Sequence, residues 1–199
     1  MRHAPPIAAP GSVPCASPVS AQSSAREPRA FAFLKPRLLS ATPPAIDGVG
    51  RAILMARASD SVPAIARAVV DHTIALHNEH GRSIGHAQPI QLSVLNRRRR
   101  AARLWLQSVV TATVDRPVLH AVATQWLPTL AGHGRDRVSV RDAVRSCVEF
   151  VRGAITAALF EHPEDNLLGG ARALQVLELT LSVQLSAAEE SLRGTPGAA

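Results

Sequence analysis

The sequence predicts an all-α fold, a bundle of about five or six helices that follows an N-terminal extension rich in Pro, Ser and Ala. From Ile46 onward, apolar residues recur at intervals of three and four, the spacing that places side chains on one face of a helix. The same region has no convincing run of strict alternation, which is the pattern of a half-buried strand. With 46% hydrophobic residues among 199, the chain has enough apolar side chains for the core of one domain.

Residues 1–44 are predicted to be a disordered extension. Pro and Ser dominate this segment, and few large apolar side chains are available to offset the entropy of ordering it. A short apolar cluster between Phe31 and Leu39 is the exception. The helical domain is expected over residues 45–193, and a second disordered tail over residues 194–199, where glycine and proline recur.

Two helices are predicted in the first part of the domain. The first runs from about Ile46 to Ala58. Asp60 and Ser61 then provide a cap, and Pro63 fits the first turn of the second helix. The residues of this second helix that share its buried face are Ile65, Val69, Val70, Thr73 and Ile74.

Two further helices are predicted in the middle of the chain, after a break rich in glycine and proline. One spans about Val94–Val114. Asp115, with Pro117 in the first turn, opens the next helix. Pro128 is expected to kink or end that helix, because proline lacks the backbone N–H that a helix interior needs. A turn at residues 132–134 follows.

Two long helices are predicted between Val138 and Leu192. The buried stripe of the first comprises Val140, Val144, Cys147, Val148, Val151, Ile155 and Leu159. The second has apolar residues around much of its circumference, so we expect burial on more than one side. We predict a homodimer through this helix, since a small monomer has few ways to cover two faces of a terminal helix. The predicted dimer interface comprises Leu174, Val176, Leu179 and Val183.

An arginine cluster is the strongest local signal in a chain of net charge +7. It consists of Arg97, Arg98, Arg99, Arg100 and Arg103. Four consecutive helical residues sweep about 300°, so at least one of the first four arginines must lie near the core unless this end projects into water. We favour a protruding helix end or loop, which would be a solvated surface element. Clustered guanidinium groups suit phosphate or carboxylate partners. A nucleic-acid-binding regulator that uses this cluster is therefore an alternative function.

No motif for catalysis or for metal binding stands out. Four histidines, His72, His77, His80 and His86, lack a signature such as H-E-x-x-H, and we interpret them as solvated or capping residues near a helix end. Cys147 lies among valines and is assigned to the core. We expect no enzyme, no cofactor and no metal site. Aromatic residues make up 3% of the chain and include no Tyr, which argues against a surface that stacks bases.

Membrane insertion and disulfide bonding are not expected. No apolar run approaches the 18 to 20 residues or so that span a bilayer. The two cysteines make no disulfide framework, which favours a cytoplasmic location.

A family resemblance rests on the order of segments between Trp126 and Leu185. Gly134-Arg135 precedes Val138-Ser139-Val140 at the start of a helix, and one long closing helix ends the region. The matching residues within the first helix are Val144, Phe150, Val151, Arg152 and Ile155. This order is similar to the N-terminal sensor domain of the RsbR and RsbRD proteins of bacterial stressosomes, a globin-like helical fold without haem. The resemblance implies a homodimeric regulatory domain that acts through the protein partners of a signalling complex.

The leading functional hypothesis is therefore a non-enzymatic, cytoplasmic regulatory domain that senses a signal and acts through protein–protein interaction. Nucleic-acid binding through Arg97 to Arg103 is the first alternative. The second is a haem-binding globin-like sensor with His120 or His133 as the axial ligand. The small number of phenylalanines, four in the chain, argues against a haem pocket.

Overall fold

The computed structural model describes residues 45–83, 90–132, 137–161 and 167–194, without the side chains of residues 80, 82, 83, 137–139 and 194. Within these ranges every regular element is a helix, and the predicted all-α bundle is confirmed. The predicted disordered extension, residues 1–44, lies outside the described residues. So do residues 195–199 of the predicted tail, whereas Gly194 is the last residue of the closing helix.

Seven α-helices and one π-helical turn make up the described part of the chain. They are α1 (Gly48–Ala58), α2 (Val62–Ser83), α3 (Leu92–Val110), α4 (Arg116–Ala121), the π turn (Val122–Trp126), α5 (Leu127–Ala131), α6 (Arg137–Leu159) and α7 (Leu167–Gly194). Because α4, the π turn and α5 follow one another without a break, the bundle has six helical rods.

Helix α3 ends at Val110, four residues before the predicted end. The backbone N–H of Thr113 donates to the carbonyl of Ser108 at 2.8 Å, and that of Ala112 donates to Val109 at 3.0 Å. This pair of bonds is the Schellman motif, which ends a helix with one residue in the left-handed conformation. Ala112 takes that position with φ +47°, where glycine is usual, so the sequence gives no visible stop signal.

Helix α4 begins as predicted, but Pro128 does not end the helical rod. The carboxylate of Asp115 caps α4 by accepting a hydrogen bond of 2.9 Å from the backbone N–H of Val118. One turn before Pro128, the winding changes to a π turn, in which the N–H of Leu127 donates to Val122, five residues earlier. The rod then continues to Ala131, and Gly132 ends it with φ +97°.

Helix α7 lies at the centre of the bundle. It contacts α1, α6 and the π turn extensively, and α3 and α4 to a smaller extent. The expectation that the last helix is buried on more than one side is confirmed, with all of these neighbours in the same chain. The predicted stripe of α6 is also buried, except for the half-buried Val140.

Helices α1 and α7 approach each other closely at Gly50. A Cβ atom on Gly50 would lie 2.7 Å from the carbonyl oxygen of Arg172 and 3.0 Å from Cγ2 of Val176. Beside this contact, the Arg172 guanidinium donates two hydrogen bonds to the Asp47 carboxylate, at 2.7 and 2.9 Å. Asp47 also caps α1 by accepting from the N–H of Val49. A glycine and an ion pair therefore join the first helix to the last.

Candidate anion-binding surface

The exposed side of α3 carries a row of polar and basic side chains. Asn96, Arg99, Arg100, Arg103 and Leu104 line a shallow surface depression of about 470 Å³. Their spacing of three and four places them on one face of the helix, and all five are exposed. We call these five residues the basic face.

Arg98 points to the opposite side of α3. It is 2% exposed, whereas Arg97, Arg99 and Arg100 are exposed. Its Nη2 atom lies 2.7 Å from the place that a Cβ on Gly132 would take, so the arginine packs against the end of α5. Of the two alternatives, an arginine near the core is confirmed, and the favoured one, a run that lies wholly in water, is wrong. Arg98 therefore belongs to the interior and not to the surface cluster.

The arginines of the basic face have no acidic residue in their own helix and take part in none of the described ion pairs. Helix α3 contains no Asp or Glu. The described ion pairs involve arginines of other helices: Arg145 with Glu189, Arg152 with Glu149 and Glu178, Arg172 with Asp47, and Arg193 with Glu189. The exposed arginines of α3 therefore present a local excess of positive charge, and such a surface attracts anions.

The histidines are dispersed and do not form a metal site among the described residues. His72 lies in the middle of α2, where Nε2 is 2.8 Å from Oγ of Ser146 and the ring stacks on Phe150 at 4.8 Å. The interpretation of His72 as a helix-end residue was therefore wrong, because the ring packs between α2 and α6. His77 is half-buried on α2, and the described residues contain no group of three or more metal-binding side chains.

Of the two alternative haem ligands, only His120 lies among the described residues. His120 is half-buried in α4, and its backbone carbonyl accepts a hydrogen bond of 2.8 Å from the hydroxyl of Thr124. His133 lies outside the described residues.

The predicted dimer interface divides into two parts. Val176 is 3% exposed and packs on Gly50 of the same chain, so α1 supplies the neighbour that we assigned to a second copy. Leu174, Leu179 and Val183 are half-buried. Because helices of the same chain pack against several sides of α7, burial on more than one side no longer requires a second copy. The homodimer stays a prediction.

Sequence reasoning identified the arginine cluster but not its division into a surface set and a buried residue. The spacing of the arginines along the sequence already distinguishes the exposed ones from the buried one. Arg99, Arg100 and Arg103 follow the same rule of three and four as an apolar stripe, and Arg98 does not. Asn96 lies one turn before Arg99, and Leu104 lies one turn after Arg100, so both extend this pattern.

No helix in the described ranges combines the length and the hydropathy needed to cross a membrane. Comparisons with models of protein families, with curated proteins and with solved structures found no match to the chain.

Proposed function

We propose that the protein is a non-enzymatic regulatory domain that binds nucleic acid through the basic face of α3. The observation that carries the proposal is the alignment of Arg99, Arg100 and Arg103 on one exposed face without acidic neighbours in the same helix. Guanidinium groups donate paired hydrogen bonds to phosphate oxygens, so a row of them suits a polyanion. Arg97, exposed at the edge of the face, adds a fourth charge.

The basic face supports this function better than α7 supports the homodimeric signalling domain. The apolar faces of α7 are flanked by α1, α6 and the π turn of the same chain. In contrast, the exposed arginines Arg99, Arg100 and Arg103 take part in none of the described ion pairs, so a ligand would not need to displace one. We further propose that this regulator acts in the cytoplasm.

The proposal is tested by fluorescence anisotropy with a labelled DNA duplex of mixed sequence at low salt. We expect the wild-type protein to bind, and the triple variant Arg99→Ser, Arg100→Ser, Arg103→Ser to bind at least about tenfold more weakly, since binding of this type is dominated by phosphate contacts. The matched control is Arg51→Ser, Arg67→Ser, Arg193→Ser, which removes the same charge from exposed positions on other helices.

Three results would overturn the proposal. The first is a wild-type protein that does not bind DNA or RNA at low salt. The second is an equal loss of affinity in the control variant, which would assign binding to net charge rather than to the basic face. The third is binding only to vesicles of anionic lipid, which would assign Leu104 and its arginine neighbours to a membrane surface. Circular dichroism verifies that each variant retains the wild-type helix content.

A further inference from the structure

We infer that the ligand of the basic face is double-stranded DNA and that the N-terminal half of α3 enters its major groove. The inference rests on the proposed function and specifies its ligand. It depends on the shape of α3, on the chemistry of its exposed side chains and on the location of the aromatic residues.

The N-terminal half of α3 is more exposed than the rest of the helix, although Leu95 on its inner side packs against the core. All residues from Gln91 to Arg97 are exposed or half-buried, and Leu92 is 68% exposed. Burial of α3 begins at Arg98 and is extensive from Ala101 onward. A helix with its side chains is about 10–12 Å wide, and the major groove of B-DNA is about 12 Å wide. The exposed side of these turns therefore has the width of an element that enters this groove.

The exposed side chains of α3 include the types that read base edges as well as phosphates. Arginine pairs with the two acceptors of guanine, and asparagine or glutamine pairs with adenine. Asn96, Arg99 and Arg103 share the face with Leu92, whose apolar side chain suits the methyl group of thymine. Gln107 continues the same row and is exposed. A flat electrostatic patch would need only the charges, whereas the N-terminal half of this row also carries the apolar Leu92 and the amide of Asn96.

The location of the aromatic side chains favours a duplex over a single strand. Single strands are held mainly by stacking their bases on exposed aromatic rings. Trp105, the aromatic residue of α3, is 0% exposed, and its Nε1 donates to Gln184 inside the bundle. Phe150 is stacked on His72, and Phe160, which is 37% exposed, packs over Gly170 of α7. Among the described residues, no aromatic side chain lines the basic face.

Double-stranded RNA is a poorer fit for the same helix. The major groove of A-form RNA is deep and narrow, and side chains on a helix do not reach its base edges. Recognition of duplex RNA proceeds across the minor groove, through hydroxyl and phosphate contacts. The exposed turns of α3 therefore fit B-form DNA best.

The test compares the full chain on three labelled probes of one sequence at one salt concentration: duplex DNA, its single strand and duplex RNA. We expect duplex DNA to bind at least about tenfold more tightly than the other two probes, given the groove shapes. A second pair of measurements uses a duplex whose major groove is blocked by glucosylated hydroxymethylcytosine, and an unmodified duplex saturated with the minor-groove ligand netropsin. Glucosylation should lower the affinity about tenfold or more, and netropsin should not.

The inference is wrong if the three probes bind equally, or if netropsin competes and glucosylation does not. Either result would leave the proposed function intact, provided that the Arg99, Arg100, Arg103 triple variant still loses affinity for every probe. If no probe binds at low salt, the proposed function and the inference are both wrong. The two failures are therefore distinguishable.

Discussion

The indole Nε1 of Trp105 donates a hydrogen bond of 2.9 Å to Oε1 of Gln184 and so joins α3 to α7 in the centre of the bundle. Trp105 is 0% exposed and Gln184 1%. The amide nitrogen of Gln184 in turn donates to Oγ of Ser108 and to the carbonyl of Thr113, each at 3.2 Å. Trp105 lies two turns after Arg98 on the same face of α3, so this bond directs the basic face outward.

We predict that Gln184→Leu lowers the free energy of unfolding by about 1–3 kcal/mol, because it leaves the indole N–H and a carbonyl without partners in the core. Gln175→Leu, at an exposed position of the same helix, is the control and should change the stability by no more than about 0.5 kcal/mol. Urea unfolding monitored by circular dichroism measures both. Equal effects of the two substitutions would mean that the buried amide does not stabilise the bundle.

The two sides of the arginine run should respond differently to substitution. Arg98→Ser removes a large buried side chain beside Gly132, and we expect a loss of about 2 kcal/mol or more in stability. Arg99→Ser affects an exposed side chain and should change stability by less than about 0.5 kcal/mol. Thermal unfolding of the two variants checks this difference. If Arg98→Ser were as stable as Arg99→Ser, the inward orientation of Arg98 would be wrong.

Two glycines provide a matched test of the contact between α1 and α7. Gly50→Ala should destabilise the protein by about 1–3 kcal/mol, because the new methyl group meets the backbone of Arg172 at 2.7 Å. Gly153→Ala, at an exposed position of α6 with open space around the new Cβ, should stabilise it by about 0.5–1 kcal/mol. Chemical denaturation measures both effects. A tolerated Gly50→Ala would contradict the close approach of the two helices.

The ion pair between Asp47 and Arg172 makes stability depend on pH in the acid range. The hydrogen bonds from Arg172 hold the pKa of the Asp47 carboxyl below its ordinary value of 3.8. A carboxyl whose pKa is lowered on folding stabilises the protein above that ordinary value, and this contribution disappears as the pH falls through the lowered pKa. Asp47→Asn retains a capping oxygen but loses the charge.

We therefore expect wild type to be more stable than Asp47→Asn at pH 6, and the difference to shrink as the pH falls below 3.8. Urea unfolding of both proteins across this range provides the measurement. If the difference in unfolding free energy between wild type and Asp47→Asn stays constant down to the lowest pH measured, the carboxylate charge does not contribute to stability.

Local signals in the sequence predicted much of the fold. The cap at Asp115 and the stripe from Val144 to Leu159 were identified because each depends on residues close together in the chain. The features that sequence reasoning missed depend on contacts between distant segments. Position 50 must be a glycine because the backbone of Arg172 leaves no space for a Cβ atom. Gln184 can be buried because its side-chain oxygen accepts a hydrogen bond from Trp105, 79 residues earlier.

The arginine cluster was predicted from its run of charges. Which of its arginines are exposed and which is buried depends on the orientation of α3 about its own axis. That orientation is set by which residues of the helix meet the core. Residues Ala101, Ala102 and Trp105 are buried, so the side that carries Arg98 faces inward. The end of α3 at Ala112 is a second feature that no local pattern predicts, because the left-handed position after a helix is usually a glycine.

The most direct test of the central claim is the salt dependence of DNA binding by wild type and by the Arg99→Ser, Arg100→Ser, Arg103→Ser variant. Each phosphate neutralised by an arginine releases counterions, so the logarithm of the binding constant falls linearly with the logarithm of salt concentration. Removing one phosphate contact should reduce the slope by about 1, and the triple variant should therefore lose up to about 3 units of slope. A slope equal to that of wild type would contradict a nucleic-acid-binding role for the basic face.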